Sequence, residues 1–571
     1  MAATGSSRST LTALNAYRRV PRVVAPTGLR HDAAVTAPTT SAAAPSRWIL
    51  VAVVVASGVV FLDSTIVTVA LPRIGRDLPS TTLGTLEAQA YITSGYLAVL
   101  SAFLILGGAM ADRYGRRRIF SLGLVGFGVT SLLCGLAPTI ETLVLARLLQ
   151  GASGALLVPG SLTIITASYQ DEARARAFGI WAAATSALTV LGPLVGGLIV
   201  DLFSWRVAFL VNVPLIGLAL WATRRHVPES RDETATGRLD WLGSVVIAVA
   251  VGGVSFGLIR GQEAQWSDPV AFAVLAIGIA AAIAFPILMV TRKDPLVPPA
   301  LFRRRAFTVI NLATFLIYGA LYTWSLLQSL FLQGVLGYTA VASAAVGLPV
   351  GIFLTLGSTR AGALAGRIGP KPFLVAGPAL MGVALLWLTR IPSDSAPWLL
   401  EVGGHRMLPP WDVWIDVLPT TILFAAGLTL VVAPLTTALM ASVPVRNAGV
   451  GSAINNAISR VGQPLILALL FIPLSAVFYG SLSTTAPYLA ERDPAVRARI
   501  QPLNPPPGEL NVIDEFPIDQ ASTEAFHLAM LAAAGLLFAG AAVSAVGLKG
   551  GKVEAIDDEA TAVEPAALVV G

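Results

Sequence analysis

Long apolar runs separated by short polar segments fill most of the chain, from residue 48 to residue 547. A hydrocarbon core of about 30 Å is crossed by about 20 apolar helical residues, and about fourteen of the runs are that long. The predicted spans cover residues 48–70, 87–110, 117–137, 140–168, 174–200, 205–223, 241–260, 269–291, 306–331, 341–360, 371–391, 415–440, 447–479 and 522–547. Most are apolar on all sides, which is typical of helices embedded in a membrane.

Composition leads to the same prediction. Of the 571 residues, 55% are hydrophobic and only 12% are charged, and the mean hydropathy is +0.75. Soluble domains carry about 25% charged residues, so we predict an all-α polytopic membrane protein. The single cysteine, Cys134, excludes a disulfide within the chain. We assign the net charge of +6 to arginines in membrane-flanking loops and expect no nucleic-acid partner.

Loop charge predicts the orientation. Short loops on the N-terminal side hold roughly 19 Lys and Arg residues and those on the opposite side roughly 6, so the N-terminal side is predicted to be cytoplasmic. An even number of spans brings the C-terminus back to that side. We expect a disordered cytoplasmic tail over residues 1–46 and a second cytoplasmic tail over 548–571. A long, Pro-rich outer loop over 480–521 is expected to be extended and solvated.

One charged turn occurs twice. "GGAMADRYGRRRIF" at 107–120 is followed by a weaker copy, "AGALAGRIGPKPF", at 361–373. The aligned positions are Gly108 with Gly362, Arg113 with Arg367, Gly115 with Gly369 and Arg117 with Lys371. Asp112 has no acidic counterpart, since Gly366 takes its place.

The repeated turn predicts a duplicated bundle. Each copy joins the second and third helix of a unit, but the two copies lie eight spans apart instead of six. We therefore predict a six-helix bundle over 47–223, two extra helices over 240–291 and a second six-helix bundle over 306–547.

The turn itself is a candidate conformational switch. Gly108 and Gly115 allow a tight reversal, and Asp112 can face a helix N-terminus or a nearby arginine. An ion pair that forms in only one conformation biases a two-state protein. The arginines of this candidate loop are Arg113, Arg116 and Arg117. The alternative is that these arginines only fix the topology.

This turn resembles the G-x-L-A-D-R-x-G-R-R loop signature of the major facilitator superfamily. Fourteen spans with two between the halves resemble its fourteen-helix drug:proton antiporter branch, the EmrB/QacA-type exporters. The resemblance covers about residues 48–547. It implies the major facilitator fold, with two six-helix bundles plus two extra transmembrane helices, and transport by alternating access.

The stretch "LDSTIVTVALPRIGRDL", 62–78, resembles the L-D-x-T-I-V-N-V-A-L-P segment of that branch, with Thr68 in place of asparagine. Asp63 lies roughly 12 Å inside the outer end of span 1. A carboxylate at that depth is costly unless it faces a cavity, finds a partner or takes up a proton. Asp63 is therefore our proton-coupling candidate. The alternative is an acid at a helix end that reaches the interface.

A basic partner is predicted in span 4. In "LARLLQGASGALLVPGSL", 145–162, Arg147 lies roughly 9 Å deep. The resemblance implies that spans 1 and 4 line a central cavity and associates this arginine with proton transfer. We predict that Arg147 and Asp63 interact, because a guanidinium stabilises a carboxylate whereas exclusion of water stabilises the neutral acid. The alternative partner of Arg147 is Glu141 at the outer interface. Gln150 is a possible cavity donor.

Small residues in span 5 predict close packing and the direction of transport. In "LGPLVGGLIVDLFSWRVAFLVNVP", 191–214, Gly192 and Gly196 form a G-x-x-x-G face, and Pro193 can kink the helix. The run G-P-x-x-G-G, which ends at Gly197 and is followed by W-R-x-x-F-x-x-N-x-P, resembles the signature of exporters in the superfamily. It implies export instead of import.

Span 13 contains a deep base. In "GSAINNAISRVGQP", 451–464, Arg460 lies roughly 18 Å from the inner end, and Asn455 and Asn456 precede it by about one turn. The stretch resembles the N-x-x-x-R pattern of the branch and predicts either a cavity site or a structural hydrogen-bond hub. Spans 9 to 14 offer no deep carboxylate. Some family members use such acids for cationic drugs, so their absence argues against a preference for cations.

Span 9 contains aromatic and amide residues that are candidates for a substrate pocket. Tyr318, Tyr322 and Gln328 are candidates for lining a pocket for a bulky amphipathic substrate. The alternative is that its aromatic residues serve packing or anchor the helix at the interface.

No sequence feature suggests catalysis. The chain has no phosphate-binding loop, no metal-ligand spacing and no nucleophile–base pair, so we expect neither an enzyme nor a cofactor. The predicted function is a proton-coupled exporter of hydrophobic or amphipathic drugs or metabolites across the cell (cytoplasmic) membrane, acting in the bilayer as a monomer. The alternatives are a dedicated exporter of one natural product or lipid-like metabolite, a nutrient symporter, and a non-transporting membrane sensor.

Overall fold

The computed structural model describes residues 46–231, 239–264, 266–293, 295–401, 407–443, 448–491, 500–505 and 512–550. In these ranges the chain forms helices and turns without a β-strand. Both predicted tails fall almost entirely outside them.

Fourteen helices are long and apolar enough to cross a membrane, which confirms the predicted number of spans. They are α1 Arg47–Asp77, α2 Thr85–Tyr114, α3 Arg116–Gly135, α4 Ile140–Ser168, α5 Glu172–Leu202, α6 Trp205–His226, α7 Trp241–Gln262, α8 Pro269–Thr291, α9 Arg305–Gly334, α10 Ala340–Ile368, α11 Lys371–Leu388, α12 Val413–Ala441, α13 Val450–Thr485 and α14 Asp514–Gly547. We call the face that holds residues 113–118 the basic face, and the opposite side of the molecule the far face.

Two spans are interrupted. α6 consists of Trp205–Leu210 and Asn212–His226, and α10 consists of Ala340–Ala345 and Leu348–Ile368. The break in α6 places Asn212 at the start of a helical segment.

The first six spans pack around α1, which contacts α4, α5 and α6. α2 and α4 approach closely because Gly151 has no side chain: a methyl group there would lie 2.5 Å from the carbonyl oxygen of Tyr96. Glycine also allows close helix packing in the last six spans. A methyl group at Gly319 of α9 would lie 3.1 Å from the carbonyl carbon of Gly462 of α13. Glycine contacts therefore set the spacing of helices in both halves.

The two extra helices form a hairpin on the outside of the seam between the halves. α7 packs against α2 of the first half and α13 of the second, and the rings of Tyr91 and Phe256 stack at 5.0 Å. α8 packs on α7, where Gly278 meets Gly253, and most of its surface is not covered by protein. The position of α7 shows that the insertion is more than a linker between the halves.

Polar contacts tie the hairpin to α2 at the far face. The Arg260 guanidinium lies 2.7 Å from Asp268 and 3.7 Å from Glu87. Asp268 also accepts the backbone N–H of Val270 at the start of α8. That hydrogen bond, together with Arg260, holds the pKa of Asp268 below its usual value.

The halves meet toward the far face. Gln333 of α9 donates to the carbonyl oxygen of Val69 at 3.1 Å. The Asp201 carboxylate of α5 accepts the backbone N–H groups of Ala340 and Val341, at 3.2 and 2.8 Å. A carboxylate is favourable there because the first N–H groups of a helix lack intrahelical partners. α5 and α10 are thereby joined across the seam.

In the part of the predicted outer loop that the structure describes, helix extends into both ends and a middle segment is buried, so the expectation of a solvated loop was wrong for these residues. α13 continues to Thr485 and the helix before Gly547 begins at Val512. Residues 500–504 are buried, with Leu503 fully so. Gln501 accepts the backbone N–H of Leu86 and Asn504 accepts the Gln89 amide. These partners at the start of α2 let a polar segment enter the seam. The rest of the Pro-rich stretch, 506–510, lies outside the described residues.

Candidate functional site

The structure brings Asp63 and Arg147 into direct contact. The Arg147 guanidinium lies 2.5 Å from the Asp63 carboxylate, and the two side chains are 1% and 0% exposed. The alternative partner, Glu141, instead accepts the backbone N–H groups of Thr81 and Thr82 at the far face. The ion pair therefore joins α1 to α4 inside the first half, away from lipid.

Neutral side chains complete the shell of the carboxylate. Asp63 Oδ1 accepts Gln150 Nε2 at 3.1 Å and Asn212 Nδ2 at 2.9 Å. Ser131 Oγ accepts both amides, at 2.8 and 3.3 Å. We call Asp63, Arg147, Gln150, Asn212 and Ser131 the Asp63 network. It unites four helices, α1, α3, α4 and α6, around one carboxylate.

The Arg147 guanidinium is equally well surrounded. It donates to the Ile92 carbonyl at 3.1 Å and to Gln150 Oε1 at 2.7 Å. Its central carbon lies 4.0 Å from the centroid of the Tyr96 ring, within cation–π range. Within the described ranges no three His, Cys, Asp or Glu side chains cluster as metal ligands would. The one carboxylate of the site is paired with Arg147.

Sequence reasoning missed three members of this environment, Asn212, Ser131 and Tyr96. Asn212 stands in the quoted W-R-x-x-F-x-x-N-x-P run, and an amide in an apolar span was an available signal. Ser131 and Tyr96 gave no signal, because serine and tyrosine are common in spans. Only the packing of α3 and α2 against α4 brings Ser131 to Gln150 and Tyr96 to Arg147.

The repeated turn has a matching backbone in both copies. Gly115 and Gly369 have φ angles of 107° and 93°, in the region that favours glycine. Asp112 accepts two hydrogen bonds from Arg116, at 2.9 and 3.0 Å. Arg113 extends over the ring of Tyr114, at 6.0 Å from its centroid.

A partner not foreseen holds the first copy of the turn. Glu229, after α6, accepts the backbone N–H of Arg117 at 3.1 Å and lies near the side chains of Arg117 and Arg118. A methyl group at Gly115 would meet the Glu229 carboxylate at 2.7 Å, whereas Gly108 has room against Pro159. The turn is thus anchored to the end of the first half.

The glycines of the exporter-like run pack on two different helices. Methyl groups at Gly192 and Gly196 would collide with Thr65 and Ile66 of α1. A methyl group at Gly197 would lie 2.6 Å from the Cα atom of Val341 in α10 of the other half. α5 remains helical through Pro193. The run therefore sets both the α1–α5 spacing and the crossing of the seam.

The candidates on α13 separate into different environments. Asn455 donates to Asn311 and Thr314 of α9, at 3.1 and 2.9 Å, and forms a structural hub. Asn456 is exposed and donates to a carbonyl of its own helix. Arg460 takes no part in the hub. Its guanidinium lies 5.4 Å from the centroid of the Phe61 ring of α1.

The aromatic candidates on α9 lie close together. Tyr318 and Tyr322 are half-buried, with ring centroids 6.2 Å apart. Gln328 is buried and its Oε1 atom has no hydrogen-bond partner. Between them, Trp324 stacks on Phe424 of α12 at 4.0 Å.

Comparison with known proteins decides the family. A family model described as the Major Facilitator Superfamily matches residues 53–467. The chain belongs to this superfamily. It is therefore a membrane transporter and not an enzyme, and the predicted fold class is confirmed.

Several curated relatives of this transporter are named for resistance. It is 31% identical over 463 residues to the puromycin resistance protein of Streptomyces alboniger, covering 80% of this chain and 86% of the relative. The multidrug resistance protein Stp of Mycobacterium tuberculosis (strain CDC 1551 / Oshkosh) is 31% identical over 82% of this chain and 80% of its own. The tetracenomycin C resistance and export protein of Streptomyces glaucescens is 31% identical over 75% of this chain and 76% of its own length.

Solved structures share the fold. A bacterial homolog of the human lysosomal transporter Spinster, in an inward-facing and unoccupied conformation, gives a TM-score of 0.58 at 20% identity. The match covers 88% of this chain and 96% of that chain.

Proposed function

We propose that this transporter is a proton-coupled exporter, which moves hydrophobic or amphipathic molecules out across the cytoplasmic membrane by alternating access. The observation that carries the proposal is the buried Asp63–Arg147 pair. It puts a carboxylate at membrane depth, without lipid contact and with every oxygen hydrogen-bonded. A proton is the one species that such a carboxylate can bind without new space.

Protonation has a direct physical consequence in this geometry. It removes the Coulomb attraction between Asp63 and Arg147, which is strong because both groups are buried. The Asp63 network then loses the charge around which it is ordered. A change of this kind at one site shifts the balance between two conformations of a transporter. Proton binding and release can in this way favour opening to opposite sides.

Two observations support outward transport. The G-P-x-x-G-G run packs α5 on α1 and, through Gly197, on α10, which limits leakage where the halves cross. The relatives named for resistance to puromycin, for multidrug resistance and for export of tetracenomycin C point the same way. We extend their activity to this chain as part of the proposal.

The orientation is also part of the proposal. Loops rich in arginine remain on the cytoplasmic side of a membrane, so we assign the basic face to the cytoplasm. The contacts of Gln333 and Asp201 at the far face then close the outer side. The conformation described is accordingly one that is shut toward the outside.

A second candidate function is export of one natural product. The relative named for tetracenomycin C resistance and export is named for a single compound, as is the puromycin resistance protein. The substrate range therefore has to be measured.

The test is a susceptibility panel in a bacterial host that lacks its own major exporters. Cells expressing the wild type, Asp63→Asn or Arg147→Ala are compared on puromycin, tetracenomycin C and a set of apolar antibiotics and dyes. We expect resistance to at least one compound from the wild type and its loss in both variants. Asp77→Asn is the matched control, because this acid at the end of α1 is exposed and pairs only with Arg73.

Three results would count against the proposal. Equal resistance from all variants would separate Asp63 from transport. Increased uptake of a compound would reverse the direction. Unchanged susceptibility across the panel, with the protein present in the membrane, would favour a nutrient symporter or a non-transporting sensor.

A further inference from the structure

Arg460 is a buried cation without an ionic partner. It lies on α13 ten residues after Val450, roughly 15 Å along the helix, and its side chain is 6% exposed. Among the described residues it makes neither a hydrogen bond nor an ion pair, and its recorded contact is the ring of Phe61. A guanidinium remains charged and carries five N–H donors, so all of this donor capacity is available.

Other buried charges of this transporter are paired. Arg147 binds Asp63, and the buried Glu87 carboxylate lies 3.7 Å from Arg260. An unpaired charge at membrane depth is costly unless it faces a cavity or a ligand. Among the described residues, the Phe61 ring offsets only part of the cost of burying Arg460, because it supplies no counter-charge and accepts none of the N–H donors in an ordinary hydrogen bond.

A partner from the protein is not at hand. Asp63 is the nearby carboxylate, but Arg147 occupies one of its oxygens and two amides occupy the other. Neither α9 nor α13, which pack together around this position, contains a single Asp or Glu. Among the described residues no carboxylate pairs with Arg460, so a ligand from outside the chain can supply its counter-charge.

The same level of the membrane offers an aromatic surface. Because Gly319 packs against Gly462, the part of α9 at the depth of Arg460 carries Tyr318 and Tyr322. Both rings are partly exposed. A charged donor and aromatic rings at the same level of the membrane suit a ligand with an acidic group and a flat apolar body.

We propose that Arg460 binds the acidic group of the transported molecule, and that the substrates are organic acids with an apolar, preferably aromatic, body. The inference rests on the proposed export function and specifies its substrate class. Guanidinium and carboxylate match as a bidentate pair. A membrane potential that is negative inside also favours the outward movement of an anion.

The test is binding to the purified full-length transporter in phosphatidylcholine nanodiscs, with empty nanodiscs subtracted. Tritiated 2-naphthoate, 2-naphthamide and 2-naphthylmethylammonium form one matched set, and dodecanoate, dodecanamide and dodecylammonium form another. We expect each acid to bind more tightly than its amide and its ammonium. Arg460→Gln should weaken binding of the acids about 10- to 100-fold, the range of a hydrogen-bonded charge, and leave the amides unchanged. Arg460→Lys should retain part of the acid binding.

Arg225→Gln is the control, because it removes the same charge from an exposed position on the basic face. The proposal is overturned if no acid exceeds its amide, or if Arg460→Gln binds the acids as the wild type does. Acid binding that is present in phosphatidylcholine nanodiscs but lost in phosphatidylglycerol nanodiscs would assign the site to a lipid headgroup. This result would also overturn the proposal. The binding measurement uses no proton gradient, so failure of proton coupling remains distinguishable from failure of the substrate class.

Discussion

Asp63 shows how a membrane protein holds a charge at depth with neutral neighbours. Arg147 neutralises it, while Gln150 and Asn212 fill the remaining acceptor sites. Burial of a charge is expensive unless its hydrogen-bonding capacity is satisfied. The two amides therefore matter as much as the ion pair, because they stabilise the carboxylate without adding a second formal charge beside it.

Asn212→Leu tests this role. The substitution keeps the branching of the side chain and removes the donor to Asp63, which should cost about 1.5–3 kcal/mol for a hydrogen bond to a charged group. We expect a lower melting temperature of the purified transporter and a large loss of transport. Asn456→Leu makes the same change at an exposed amide that bonds only to its own helix, and should leave both unchanged. Wild-type transport by Asn212→Leu would show that the amide is dispensable.

Depth along a helix was enough to predict the pair but not its surroundings. A rise of about 1.5 Å per residue put Asp63 and Arg147 at nearly equal distances from one membrane face. Asn212 and Ser131 lie at similar depths too, as do many other residues. Only the rotation of α6 and α3 about their axes decides which side chains reach Asp63, and apolar spans carry little sign of that rotation. For the same reason, the sequence does not predict that Arg460 lacks an ionic partner among the described residues.

At the scale of elements, α5 packs within its own half and also across the seam. Gly192 and Gly196 lie on α1, whereas Gly197 lies on α10. The neighbouring Asp201 then caps the first turn of α10. A short glycine run thus couples packing inside one half to contact between halves.

Gly197→Leu should open the far face. The new side chain meets the backbone of Val341, so the α5–α10 contact becomes less favourable by about 1–3 kcal/mol, as in other overpacked sites. The readout is maleimide labelling, from the far side, of a cysteine placed at Ser329 in a Cys134→Ser background. Ser329 lies at the seam and donates to Thr68, and we expect its labelling to become severalfold faster.

The control for that variant is on the same helix. Gly179→Leu adds an identical side chain where no atom lies within 4 Å of the new Cβ, so labelling should stay at the wild-type rate. Equal rates in the two variants would mean that Gly197 does not keep the far face closed.

Apolar run length predicted the fourteen helices and their order, since membrane burial leaves little choice of structure for such segments. It did not predict the segment over 500–505, which is polar and Pro-rich in composition. Residues 500–504 of that segment are buried because Gln501 and Asn504 find partners on α2. Such pairing depends on two parts of the chain more than 400 residues apart, which local composition does not encode.

At the scale of the whole molecule, the extra hairpin changes how the halves are connected. α7 touches both α2 and α13 on one side of the seam, and α5 meets α10 across it. Rocking of the two halves must therefore slide α7 against at least one of its neighbours. α7 is placed to limit that motion, and α8 packs on α7.

The central claim is that proton movement through Asp63 drives export, and transport in proteoliposomes tests it most directly. A compound identified by the susceptibility panel is measured in two modes: exchange without a gradient, and accumulation driven by a pH gradient. Asp63→Asn keeps the size of the side chain but has no group that can bind or release a proton. We predict that this variant retains exchange and loses accumulation. Accumulation at the wild-type level in Asp63→Asn would contradict the account.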